Sequence, residues 1–154
     1  MTVDETHSTA PQRAYSLSKK QGKDMADVFC RNHPTVFASF RLANVRAPCQ
    51  YDVYLDRRRD TASQAPAHWS YVDARDVGQS CRWLWDSKIT GHTVFNLSAA
   101  GNWLDQNVES VIADSACSDV ALQDGFGVDP TGWVISRARD LLDYQPQHSW
   151  RQNL

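Results

Sequence analysis

The stretch that most restricts the fold runs from Ala14 to Leu42, where a helical repeat is followed at once by a short strand. Tyr15, Met25, Ala26, Phe29 and Cys30 recur at helical intervals, and Asn32-His33-Pro34 closes the run. Thr35 to Leu42 then reads Thr-Val-Phe-Ala-Ser-Phe-Arg-Leu, β-branched and aromatic, with apolar side chains on both faces in part. Helices cover a strand of that kind on either side, and such strands belong to parallel sheets. The chain is therefore expected to be α/β.

The rest of the chain continues the pattern. Residues 1–13 are polar and read as an irregular lead-in, with Pro11 placed where a helix can start. Residues 49–67 are polar, and Arg57-Arg58-Arg59 reads as a solvated run, with a phosphate clamp as the weaker alternative. His68 to Val72 is a strand candidate, and Asp73 is placed to cap a helix carrying Val77, Cys81, Leu84 and Trp85. Thr93 to Leu97 predicts another strand, and Asn102 precedes Trp103, Leu104, Val108, Val111 and Ile112 on a helical period.

Residues 114–133 are rich in Asp, Ser and Gly and predict a surface loop. Gly125-Phe126-Gly127 within it is no dinucleotide fingerprint, because Pro130 stands where the third glycine belongs and no strand leads in. Ser136 is expected to cap a last short helix through Leu142, which Tyr144-Gln145-Pro146 ends.

Composition narrows the class of partner. A formal net charge of -2, with 22% charged residues, gives no electrostatic footprint for nucleic acid. No apolar run approaches the length of a membrane span. A small molecule or another protein is the expected partner. The polar, acidic start at Met1 to His7 lacks the basic-then-apolar character of a secretory signal, so a cytoplasmic location is expected. Cys30, Cys49, Cys81 and Cys117 are widely spaced and read as buried free thiols, while the five histidines show no close ligand spacing, so no metal is expected.

Tyr15 and Lys19 carry the chemistry. Residues four apart sit one above the other on a helix, so the phenol and the ammonium face the same space. A free phenol titrates near ~10, and a fixed cation favours its phenolate; lowering it by about three units asks for roughly 4 kcal/mol. A phenol so held is a general acid/base at neutral pH. The alternative is a chance pairing on an exposed helix, which leaves the two without a joint role.

Around that pair the sequence carries Val3-Asp4-Glu5 and Pro11 upstream, then Arg41-Leu42-Ala43-Asn44-Val45-Arg46-Ala47-Pro48 and Tyr71-Val72-Asp73-Ala74-Arg75-Asp76-Val77. Gly91-His92-Thr93-Val94-Phe95-Asn96 follows, and Ser136 to Pro146 closes the set. In this order, from about Glu5 to Trp150, the motifs resemble the C-terminal half of an extended short-chain dehydrogenase/reductase, the NAD-dependent epimerase/dehydratase family.

The resemblance implies the C-terminal part of a Rossmann-like doubly wound parallel sheet, over residues 1–90, interleaved with a small α/β substrate-binding lobe over residues 91–154. It implies Tyr15 as the general acid/base and Lys19 as the ligand of the nicotinamide ribose. Ala43 is implied beside the nicotinamide and Asn44 at the substrate, although Asn44 read alone is equally a residue that turns the chain after a strand. The cofactor implied is NAD or NADP, the substrate a sugar, nucleotide sugar or similar secondary alcohol, and the assembly a homodimer through the Tyr-Lys helix.

Several positions depart from the family pattern. The glycine-rich turn that binds the cofactor pyrophosphate, and the Ser or Thr upstream of the tyrosine, are not encoded in these residues, so the cofactor site is expected to be incomplete and the chain inactive alone. Trp69 stands where nucleotide-sugar epimerases usually have a phosphate-clamping arginine. Ala47 replaces the glycine usual before Pro48, and Asp143 the glycine usual after the last helix. The competing expectation is a non-catalytic remnant or a module that associates through its long helix.

Overall fold

The computed structural model describes residues 3–52, 69–104, 111–112 and 131–153. Helix α1 spans Ala14–Asn32, and strands β1, β2 and β3 span Phe37–Leu42, Asn44–Arg46 and Tyr71–Asp73. Helix α2 spans Ala74–Asp86, β4 His92–Leu97 and α3 Ser136–Leu142, with 3-10 turns at Pro48–Gln50 and Trp150–Asn153. All pairing between these strands is parallel: β1 lies beside β4, with Phe37 opposite His92 and Leu42 opposite Leu97, and β2 lies beside β3, with Asn44 opposite Tyr71.

The chain changes neighbours at Ala43. This residue is buried, and its amide still donates to Leu97 O at 3.1 Å before β2 turns to β3. The division drawn at residue 91 runs through this sheet, because β4 pairs along its whole length with β1. Gly91 enters β4 with φ +64, a conformation that strains any L side chain, and its carbonyl accepts from Phe37 N at 2.9 Å.

Strand alternation explains the apolar residues on both faces of β1. Ala38, Phe40, Phe95 and Leu97 share one face and pack with Val77, Trp83 and Leu84 of α2 and Ala138 and Leu142 of α3. Phe37, Ser39 and His92 share the other, where Phe29 and Asp27 of α1 meet them. Helices thus cover both faces, the arrangement of a doubly wound sheet. A second cluster of Tyr51, Tyr71, Ala99, Trp103 and Trp150 packs beyond β3.

Several expectations hold at the helix ends. The Asp73 carboxylate accepts from Arg75 N at 2.7 Å and caps α2. Asp143 ends α3 in the left-handed region at φ 55. Its neighbour's amide, Tyr144 N, donates back to Ala138 O at 3.2 Å. Ser136, however, does not cap α3. It is the first helical residue and is exposed, while the cap position belongs to Ile135, whose side chain is anchored in the core.

The expected inner face of α2 also needs correction. Trp85 is 88% exposed and Cys81 is exposed, because the buried stripe carries Asp76 and Ser80, with the Ser80 hydroxyl donating to Asp76 O at 2.8 Å. Asp76 in turn accepts from Gln147 N and His148 N and ties down the segment after α3. Among the described residues the thiols are free but not buried: Cys49 and Cys81 are exposed and Cys30 is half-buried.

The lead-in before α1 is irregular, as expected, yet it is held to the sheet. Val3 N donates to Gly132 O at 2.8 Å, and Val134 N to Val3 O at 3.0 Å. The buried Glu5 carboxylate accepts from Asn96 N at 2.8 Å. His68, the Arg57 to Arg59 run, Cys117, Gly125 to Gly127 and most of the helix expected after Asn102 lie outside the described residues. Among the described residues no helix is long and apolar enough to cross a membrane, and no group of three or more His, Cys, Asp or Glu could hold a metal ion.

Candidate functional site

Helix α1 brings Tyr15 and Lys19 together. Lys19 Nζ lies 5.2 Å from the centroid of the Tyr15 ring, over its face, so the contact is a cation–π one. Tyr15 is 73% exposed and its hydroxyl is free to meet a ligand rather than engaged in packing. The ammonium has the same freedom, since Lys19 is exposed.

Both residues open on a groove of about 1130 Å³ between α1, the segment from Thr9 to Arg13, and β1. Its lining includes Arg13, Lys19, Lys20, Lys23 and Arg41 and, among the described residues, no carboxylate. Asp24 pairs with Lys20 at 2.7 Å and takes up part of that charge. The remainder makes the groove attractive to an anion in a chain whose overall charge is negative. Trp133 also lines it, and its buried Nε1 has no hydrogen-bond partner among the described residues.

Ala43 and Asn44 sit elsewhere. Ala43 is buried at the switch from β1 to β2, and Asn44 is the first residue of β2, opposite Tyr71. Neither lines the groove, where the nearest member of β1 is Leu42. The structure therefore brings Tyr15 and Lys19 together and places the other two beyond the end of β1. Lys23, Ser39, Arg41 and Trp133 were not anticipated in the groove. For Lys23 the signal was present, since positions 15, 19 and 23 form one stripe of a helix. For Ser39 and Arg41 the signal was strand alternation.

The strongest electrostatic feature lies away from the groove. Asp73 accepts from Tyr51 Oη at 2.6 Å and from Arg75 Nε at 2.9 Å as well as from the Arg75 amide. Burial pushes its carboxyl up, but the bonds from the Arg75 side chain, the Tyr51 hydroxyl and the Arg75 amide outweigh that and hold it at about 2. Tyr51 is pushed well above its ordinary value, first by burial and then by the Asp73 carboxylate. These groups fix the joint between β3 and α2.

No family model and no curated protein matches the sequence. Among solved structures, 99% of the chain is similar to UDP-glucuronic acid 4-epimerase from Bacillus cereus in complex with NAD, at 17% identity and a TM-score of 0.62, covering 52% of that protein. It is also similar over 99% of its length to RMD from Pseudomonas aeruginosa complexed with NADPH, at 19% identity and a TM-score of 0.58, covering 57% of that protein. The chain thus spans little more than half the length of each. Low identity with full coverage of this chain is a likeness of fold, and over the length it spans the chain has the Rossmann-like α/β fold of these two proteins.

Proposed function

We propose that this chain is the Tyr-Lys-bearing part of an NAD(P)-dependent oxidoreductase or epimerase that acts on a secondary alcohol of a sugar or nucleotide sugar. The observation that carries the reading is the Tyr15–Lys19 pair, exposed side by side in a cation-lined groove. Its fold is shared with one protein complexed with NAD and another complexed with NADPH.

The residues present fit part of such a cofactor. An exposed phenol, an adjacent ammonium and a groove with no carboxylate among its described lining residues suit a ribose hydroxyl and an anionic group. The described residues contain no glycine-rich turn for a pyrophosphate. When bound, NAD(P) supplies the hydride acceptor or donor. Tyr15 holds the proton that the substrate hydroxyl gives up or the carbonyl takes. Lys19 orients the ribose through its ammonium. Ala43 and Asn44 lie outside the groove, past Leu42, so the nicotinamide and substrate roles that the resemblance implies for them require the bound cofactor to run beyond that lining. The test is turnover of a complete enzyme, with the cofactor-binding half supplied, for the Tyr15→Phe and Lys19→Ala variants.

One further observation favours association through α1. Only Ala26 of this helix is buried, and Leu17, Met25, Val28 and Phe29 stand about half exposed or more. We assign this face to a second copy of the chain in a two-fold dimer, the commonest arrangement for soluble assemblies. A helix serving association alone, without catalysis, would leave turnover unchanged in both variants.

A further inference from the structure

Asp27, Ser39 and His92 come from α1, β1 and β4 and meet through one imidazole. Asp27 Oδ1 lies 2.6 Å from His92 Nδ1, and Ser39 Oγ lies 2.8 Å from His92 Nε2. A carboxylate only accepts, so Nδ1 carries the proton and donates it; in the neutral ring Nε2 is then the acceptor for the Ser39 hydroxyl. The sheet register accounts for the meeting. His92 lies opposite Phe37, two residues before Ser39 on the same face of the neighbouring strand. The His92 side chain is 2% exposed, the Asp27 side chain is 51% exposed, and Ser39 lines the groove.

We propose that Ser39 is a reactive nucleophile, with His92 as its base and Asp27 as the group that orients the ring, and that it accepts an acyl group from reactive esters. The order carboxylate to Nδ1, then Nε2 to hydroxyl, is the one that serine acyl transfer requires. The Ser39 proton passes to Nε2 as Oγ bonds to the ester carbonyl carbon. The bond to the leaving alkoxide or phenoxide then breaks, and His92 gives that oxygen the proton. Water, losing a proton to the same nitrogen, cleaves the acyl-serine, releases the carboxylic acid and restores the hydroxyl.

The backbone supplies a donor for the developing oxyanion. Phe37 N and Ala43 N both donate toward β4, so by alternation the amides of Ala38, Phe40 and Leu42 point to the opposite edge of β1. No strand pairs with that edge among the described residues. The Phe40 amide, next after the nucleophile, therefore points to an edge that no described strand covers, and we assign it to the oxyanion. The chemistry assigned to Tyr15 and Lys19 uses none of these groups, so the two activities stand or fall separately.

The test treats the full folded chain with p-nitrophenyl acetate and, separately, with a fluorophosphonate, and maps the modified residue by mass spectrometry. Modification at Ser39 is expected, lost after denaturation and in Ser39→Ala. His92→Gln should slow it by about 10² to 10⁴, the usual worth of a general base. Asp27→Asn should slow it less, because that carboxylate is open to water. The mapping uses the unaltered chain, so its outcome does not depend on any variant folding. An unmodified Ser39 in the folded chain would overturn the proposal, as would modification confined to Tyr15 or lysines, or an unchanged rate in folded His92→Gln. A chain in which the three residues only brace α1 against the sheet gives an unmodified Ser39 and a lowered Tm in His92→Gln.

Discussion

Tyr51 Oη donates to Asp73 Oδ2 at 2.6 Å across the joint where β3 passes into α2. Together with Arg75 it overcomes the opposing effect of burial and holds the Asp73 carboxyl at about 2, against the ordinary 3.8. The folded value lies below the unfolded one, so this carboxylate stabilises the fold above pH 3.8 and loses that contribution as the pH falls through about 2. The difference is worth ~2 kcal/mol. Urea unfolding at neutral and acid pH should show the loss in the unaltered chain. Asp73→Asn should be less stable at neutral pH by on the order of 1–3 kcal/mol and lack that part of the acid dependence. A variant with the same acid profile would show that the joint does not depend on the charge.

The outer face of α1 makes a prediction about association. Met25 is 62% exposed and Phe29 50%. Sedimentation should find a dimer or larger species at micromolar concentration, and Met25→Asp should shift it toward monomer. A compact monomer of the unaltered chain would contradict the assignment.

Cofactor affinity should be poor in the chain by itself. Tyr15 and Lys19 can meet a ribose and an anionic group, but the described residues offer no glycine-rich turn for a pyrophosphate. Titration calorimetry should give no low-micromolar dissociation constant for NAD or NADP. Tight binding would mean that the groove holds the dinucleotide in another way.

The features legible in the sequence were those set by local pattern. Helix α1 begins and ends where the apolar period and Asn32-His33-Pro34 put it, and Asp73 caps α2 as its position before Ala74 implied. The three-residue strand β2 carries too short a pattern to announce itself, so Asn44, beside the substrate role that the resemblance implies, read equally as a turn residue. The placement of Cys81 and Trp85 failed for another reason. Helical period locates a stripe but not which stripe faces inward; the Ser80 hydroxyl bonds to the Asp76 main-chain carbonyl and the Asp76 carboxylate to the segment after α3, so both polar groups are satisfied on the inner one. Glu5 with Asn96, and Asp27 with His92, join residues far apart in the chain, and such pairs carry no local signal.

The open edge of β1 bears on stability. Strand β1 bonds to β4 on one side, and among the described residues no strand covers the other. Unpaired amides and carbonyls along a strand invite association with other chains. The isolated chain should be poorly soluble or unfold at low denaturant. A cooperative transition with ~5 kcal/mol or more of stability would show that it closes its own core.

The role of the Tyr-Lys pair is tested most directly by the turnover of Tyr15→Phe in an enzyme completed with a cofactor-binding half, natural or borrowed. Tyr15 is 73% exposed, so removing its hydroxyl should leave the Tm unchanged and take away only the proton carrier. We expect kcat to fall by about 10² to 10⁴, with cofactor binding retained. Lys19→Ala should instead weaken cofactor binding as well as turnover. A folded Tyr15→Phe enzyme that keeps more than about a tenth of its turnover would contradict the role assigned to Tyr15.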